Sequence, residues 1–329
     1  MNPAAPDLAL GRAGRRLRGV ATLERIPHGQ LEAVVLAAGE LEATFVPAAG
    51  MIGSSLRHGG EELLVQRGGL AAWRGTGKSF GLPLLHPWAN RLRDWRYAVC
   101  GRAVEIDRSR EVVRADPNDL PIHGALAAAE DWDVVDAGAD ATAATLVATL
   151  DYGRRDDRLA VFPFPHSLTL ELELRGDGLT VTTAVQAGEG AEVPVAFGWH
   201  PWLVLPGAAR AGWELGLPAR EAIALDDRGL PTGERAPCEA ERAPLGDRVL
   251  DAHFAVAEDA RFTVAGGGRE IAVEWAGGYR YAQVFAPDSL DVVCLEPMMA
   301  QVAALSTGDD LEIAAPRERV AGVFRMRVT

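Results

Sequence analysis

The stretch HSLTLELELRGDGLTVTTAVQAGEG, residues 166–190, decides the fold class. Leu168, Leu170, Leu172 and Leu174 alternate with Thr169, Glu171 and Glu173. A period of two puts every leucine on one face of an extended chain. Gly176-Asp177-Gly178 supplies a tight turn, and Leu179, Val181, Thr183 and Val185 resume the alternation. The reading is an antiparallel hairpin with one buried face. REIAVEWAGGYRYAQVFAP (269–287) has the same form: Ile271, Val273 and Trp275 alternate, and Gly277-Gly278 is expected to turn the chain back as a second hairpin. LEATFVPAAGMIGSSLRHGGEELLV (41–65) and RVAGVFRMRV (319–328) read as further short strands. Amphipathic helical patterns are scarce, and the alanine-rich stretches Ala125–Ala129 and Ala137–Ala144 are the candidates for short helical turns. With 36 glycines and 20 prolines as punctuation, the expected class is all-β: a large antiparallel sandwich with few short helices, not alternating βαβ units.

The chain has 329 residues and shows neither a fixed-period repeat nor a low-complexity linker, so one domain over 21–329 is expected, preceded by a loose arm at 1–20. The formal net charge of −13 argues against a nucleic-acid partner, which calls for a basic face. Three dispersed cysteines, Cys100, Cys238 and Cys294, fit neither a disulfide framework nor a paired-cysteine zinc site, and they suit a reducing cytoplasm. No apolar run is long enough for a membrane span, and the arginines of the first twenty residues are not followed by the apolar core of an export signal.

The chemistry-bearing segments are scattered. FGWHPWLVLPG (197–207) holds His200 between Trp199 and Trp202 and follows it with Pro201. PLLHPWANRL (83–92) closes a proline-bent apolar segment on Asn90 and Arg91, and arginine is a permanently charged, rigid donor fork. LPIHGAL (120–126) sets His123 before Gly124, and VLDAHF (249–254) puts Asp251 and His253 on one face of a strand. VVCLEPMM (292–299) ends an apolar run on Glu296, a carboxylate whose burial costs free energy unless it is paired or functional. Each has a plainer reading alone: a packed histidine, a salt-bridged arginine, a turn histidine, a surface aspartate, an ion-paired glutamate. GTGKS (75–79) is not a phosphate loop, because residue 72 is alanine where a glycine is needed. The histidines show no metal-ligand spacing, and no GxSxG elbow offers a nucleophile. Histidine, carboxylate and arginine without metal, cofactor or nucleophile suit proton transfer on a polar, neutral substrate.

Taken in order, ANR (89–91), HG (123–124), the strand pair through PFPHSLTLELEL, GWHPW (198–202), LDAHF (250–254) and LEP (295–297) resemble the aldose 1-epimerase (galactose mutarotase) family, from about residue 35 to the C-terminus. The resemblance implies a large antiparallel β-sandwich of the galactose mutarotase type and a monosaccharide substrate. It implies His200 and Glu296 as the catalytic pair, Arg91 and His123 as sugar-hydroxyl ligands, and Asp251 as a substrate-binding aspartate. Asn90 and Trp202 join the expected binding set. The chain departs from the family pattern in having Trp202 and no asparagine after His-Pro, and isoleucine at 122 where leucine is usual.

Ring opening of an aldose needs a base at the anomeric hydroxyl and an acid at the ring oxygen. Glu296 is expected as the base and His200 as the acid, facing each other across an open pocket on the order of 5–7 Å apart if each reaches one oxygen. Asp251 is expected to hold the imidazolium charged, and Trp199 and Trp202 to frame the ring. The rival readings are an epimerase of phosphorylated hexoses, with Arg74, Lys78 and Arg93 as sources of positive charge, and a sugar-binding module that lacks catalysis.

Overall fold

The computed structural model describes residues 20–76, 79–109, 112–127 and 129–329. The N-terminal arm up to residue 19, and Gly77 and Lys78 of GTGKS, lie outside the described residues. The decisive stretch folds as expected. Strands His166–Arg175 and Gly178–Ala187 pair antiparallel, with Leu168 opposite Val185 and Leu172 opposite Val181. The four alternating leucines are buried, and each such side chain removed from water stabilises by roughly 1.5–3 kcal/mol.

This hairpin is central to a nine-stranded antiparallel sheet that runs from Asp133–Ala139 at one edge to Glu241–Pro244 at the other. The C-terminal strand Arg319–Val328 pairs with Gly178–Ala187 on one side and Arg269–Trp275 on the other. A second, eight-stranded sheet is ordered Pro231–Cys238, Arg220–Leu225, Leu250–Ala255, Tyr281–Ala286, Val293–Met298, Gly198–Trp199, Leu84–Leu85, with Trp202–Leu203 also on Val293–Met298. A five-stranded meander, Thr22–His28 through Glu61–Glu62, completes the main layers. One continuous apolar core joins residues of all three sheets, among them Phe45, Leu170, Trp199, Leu295 and Phe324.

Two local expectations fail for identifiable reasons. Residues 137–144 are not helical: Asp133–Ala139 and Ala143–Asp151 are paired strands. Ala144, Leu146, Ala148 and Leu150 are buried in period two, and the Asp140 carboxylate accepts from the Thr142 and Ala143 amides to close the turn. Ala125–Ala127 are not helical either. The second expected hairpin is a crossover instead. Arg269–Trp275 stays in the nine-stranded sheet, while Tyr281–Ala286 enters the eight-stranded one between Leu250–Ala255 and Val293–Met298. Gly278, at φ +80°, makes the corner: a β-carbon there would overlap the Ala321 carbonyl of the C-terminal strand.

Candidate active site

Strand Val293–Met298 is the spine of the site. Its register sets Glu296 opposite Gln283 and Cys294 opposite Phe285 on one side, and Cys294 opposite Trp202 on the other. Alternation sends Val293 and Leu295 into the main core, and it places Cys294, Glu296, Gln283 and Phe285 on the other face. His200 sits at a break between Gly198–Trp199 and Trp202–Leu203, two short strands that both pair with this spine. The His200 amide donates to the Pro83 carbonyl at 3.1 Å, and Pro201 has no amide hydrogen to extend the ladder.

The imidazole therefore meets the carboxylate directly. His200 Nε2 lies 3.3 Å from Glu296 Oε1, with both side chains almost fully buried. The expected gap of several ångströms is not there, because neighbouring strands bring their side chains into contact. Trp202 stacks on the imidazole at 4.5 Å and 11°, and Phe285 meets it edge-on at 6.3 Å. Trp199 does not frame it. One residue earlier on the extended chain, it points into the core and donates its indole N–H to Thr183 at 3.0 Å.

Burial acts on the pair from both ends. It pushes His200 down to about 3. It pushes the Glu296 carboxyl well above the usual carboxylate range, with the Asp251 charge adding to the rise. Asp251 thus acts on the carboxyl and is not the partner of an imidazolium. An uncharged imidazole beside a protonated carboxyl holds as many protons as an imidazolium beside a carboxylate. Across the 3.3 Å contact, low polarity favours the uncharged arrangement.

The opposing wall comes from loops. Residues 90–92 and 121–123 lie side by side, with the His123 amide on the Asn90 carbonyl at 2.9 Å and the Leu92 amide on the Pro121 carbonyl at 2.9 Å. Asn90 (φ +56°) and His123 (φ +63°) both adopt the left-handed conformation, which turns their side chains out of the strand pattern. The His123 ring stands edge-on to His200 at 5.5 Å, and burial pushes its pKa well below the ordinary imidazole value. Arg91 donates from Nε to Asp116 at 2.6 Å and from Nη1 to the Asn90 amide oxygen at 3.1 Å, and Nη2 stands 3.9 Å from Asp251. Arg91 is salt-bridged, as the plain reading has it, and the buried Asp116 carboxylate aims the guanidinium at the cleft, where a binding role would need it.

His200, Glu296, Arg91, His123, Asp251, Trp202 and Asn90 all line one open cleft. Gln283, Phe285 and Ile122 line it too, and sequence reasoning did not single them out as site residues. Gln283 had a signal: a polar side chain inside the apolar run YAQVFA. It bridges two groups. Its Nε2 donates to Asp251 at 2.5 Å, and its Oε1 lies 3.1 Å from His253 Nδ1. His253 Nε2 accepts from the Val302 amide, so Nδ1 carries the proton and donates to Gln283. The expected shared face of Asp251 and His253 holds through this glutamine. Cys294 stands alone in the sequence, far from the other cysteines, yet His200, Cys294 and Glu296 bring ligand-type atoms within 4.8 Å of one another. Of the candidate phosphate partners, Arg74 pairs with Glu130 away from the cleft, Arg93 is exposed and not among its lining residues, and Lys78 lies outside the described residues.

A family model described as Aldose 1-epimerase matches residues 32–327. The chain belongs to the aldose 1-epimerase family. Among curated proteins, the uncharacterised protein YihR of Escherichia coli K12 is 25% identical over 301 residues, covering 86% of this chain and 89% of YihR. The fold matches a galactose mutarotase-like protein of Clostridium acetobutylicum with a TM-score of 0.81 at 18% identity, over 94% of this chain and 99% of that one. A putative aldose 1-epimerase of Escherichia coli K12 superposes with a TM-score of 0.70 at 20% identity, again over 94% and 99%. The family and its β-sandwich fold are therefore those expected from the ordered motifs. Among the described residues, no helix is long and apolar enough to cross a membrane.

Proposed function

We propose that this member of the aldose 1-epimerase family interconverts the α and β anomers of an unphosphorylated aldose by acid/base ring opening, within one domain spanning residues 21–329 and without a cofactor. The observation that carries the reading is the His200–Glu296 contact of 3.3 Å, set in a cleft whose other walls present Arg91, Asn90, His123 and Asp251. The two oxygens that exchange protons, the anomeric hydroxyl and the ring oxygen, share one carbon. An acid and a base in mutual contact can each reach one of them.

In the forward step Glu296, as carboxylate, takes the proton of the anomeric hydroxyl. His200, as imidazolium, gives its Nε2 proton to the ring oxygen. The C1–O5 bond breaks, its electron pair goes to O5, and C1 becomes the aldehyde. The pair is left as uncharged imidazole and carboxylic acid, the arrangement burial favours. Rotation about C1–C2 and the reverse transfers close the ring on the other face. Each positioned transfer typically contributes about 10²–10⁴-fold. Arg91 and Asn90 offer donors to sugar hydroxyls, Asp251 an acceptor, and His123 one ring nitrogen. The stacked Trp202 holds the imidazole plane.

A phosphorylated sugar suits this cleft less well. Arg91 is the one cation among its lining residues; Asp116 at 2.6 Å and Asp251 at 3.9 Å already meet its charge and the His200–Glu296 pair is neutral overall, so a phosphate dianion would find no unmatched positive charge among them. The test is polarimetric: the optical rotation of freshly dissolved α-glucose should relax faster with EDTA-treated protein than in buffer alone. Relaxation at the buffer rate for a panel of free aldoses, with acceleration of a hexose 6-phosphate, would favour the phosphosugar reading. No acceleration of either would favour the non-catalytic sugar-binding module.

A further inference from the structure

Cys294 has no part in the proton transfers, yet it shares a strand face with Glu296 and lies against His200. We propose that Nε2 of His200, Sγ of Cys294 and a carboxylate oxygen of Glu296 form a three-ligand site for a thiophilic divalent cation, zinc being the type case, whose binding takes the acid and the base away from the sugar. The inhibitory half of this proposal rests on the acid/base reading above; the binding half does not.

The geometry supports it first. The three ligand atoms lie within 4.8 Å of one another, and the nitrogen–oxygen separation is 3.3 Å. Tetrahedral zinc, with bonds of about 2.0–2.3 Å, sets neighbouring ligand atoms roughly 3.3–3.8 Å apart, so closure needs a side-chain adjustment of about 1 Å. Satisfaction of polar groups supports it second. Glu296 is 2% exposed, and its Oε2 has no hydrogen-bond partner among the described residues. A buried, unpartnered carboxylate oxygen beside a nitrogen and a sulfur is a donor set in need of an acceptor. Charge supports it third. A dication held by one thiolate and one carboxylate leaves the buried site with no net charge, and the thiol and carboxyl protons leave to solvent. Sulfur and imidazole select zinc-like ions over magnesium or calcium, which take oxygen ligands. The fourth position faces the cleft, where His200 and Glu296 form part of the lining, and it is left for water or a sugar hydroxyl.

The experiment uses the full chain, stripped with EDTA and dialysed, titrated with cobalt(II) as a coloured stand-in for zinc. The expected result is a near-ultraviolet thiolate-to-cobalt charge-transfer band saturating at one ion per chain and erased by added zinc. Cys294→Ser should lose the band. The Cys100→Ser/Cys238→Ser double variant, in which Cys294 is the sole thiol, should keep it, and this arm stands even if Cys294→Ser does not fold. On the rate side, zinc at tenfold its dissociation constant should slow wild-type mutarotation by about tenfold, reversibly with EDTA. The ratio of rates with and without zinc should be near one in Cys294→Ser. No band in the wild type, or a band that survives Cys294→Ser, overturns the site. A band with a zinc-independent rate overturns the inhibition. A band in a protein that accelerates no mutarotation sinks the epimerase reading and leaves the site standing.

Discussion

Burial moves His200 and Glu296 in opposite directions, and that opposition makes a specific claim about pH. On the proposed mechanism the pair works with one exchangeable proton between its two members. Acid removes this state only by adding a second proton to an imidazole that burial has pushed down to about 3, and base removes it only by stripping a carboxyl whose pKa is raised. On its acid side the ratio kcat/KM should therefore fall by less than about twofold down to pH 5.5, whereas an ordinary imidazole near 6.5 would lower it by roughly tenfold. A tenfold fall on the acid side, in protein shown to be folded, would mean that His200 titrates as a solvated histidine. Glu296→Gln and His200→Asn should each lower kcat by about 10²-fold or more with the fold retained. Near-full kcat in Glu296→Gln would end its assignment as base.

At the scale of the element, two glycines separate structural from positional roles. Gly124, at φ +68°, brings the His123 loop against the segment around His86, and a β-carbon there would overlap the His86 carbonyl. Backbone cannot yield as a side chain can. Gly124→Ala should lower both the melting temperature and kcat/KM, with a loss of stability of about 2 kcal/mol or more. Gly229, at φ +73°, lies in the turn between Arg220–Leu225 and Pro231–Cys238, and its β-carbon would stand 2.6 Å from Arg91 Nη1. That obstacle is the end of a side chain, so Gly229→Ala should displace the guanidinium and raise KM about tenfold while changing kcat little. Equal effects of the two substitutions on KM and stability would show that the turns do not differ in this way.

Acid stability belongs to the molecule as a whole. His86, His123, His166, His200 and His253 are all held neutral by burial, with His166 and His253 pushed down to about 4. A depressed histidine binds fewer protons folded than unfolded below pH 6.5, so its contribution is complete above that value and is lost as pH falls toward the folded pKa. Glu296 has the opposite sign: its raised pKa makes the folded state lose ground as pH rises above the ordinary carboxylate value. The histidines outnumber it. His166 and His253 alone account for on the order of 3 kcal/mol each by pH 4, against a typical total of about 5–15 kcal/mol. The melting temperature should fall steadily from pH 6.5 downward, with unfolding at 25 °C close to pH 4, as followed by circular dichroism. A melting temperature unchanged from pH 7 to 4.5 would contradict the buried neutral state of these rings.

The sequence by itself determined the hairpin of residues 166–187 and seven of the residues that line the cleft. Period-two leucines in 166–174 can bury one face only as a strand, and the order of ANR, HG, GWHPW, LDAHF and LEP named the side chains that come to line one cleft. Local periodicity could not say which sheet a strand joins. Gly277-Gly278 looks the same in a hairpin as in a crossover, and the close approach to Ala321 decides between them only once the C-terminal strand is in place. Tertiary structure alone set the His200–Glu296 contact at 3.3 Å, turned Trp199 to the core and Trp202 to the imidazole, and enrolled Gln283 and Cys294. The reason is physical. Side-chain direction along one strand follows from the alternation of its residues, but contact across strands, and the low polarity that moves the protons of this pair, arise only from register and burial.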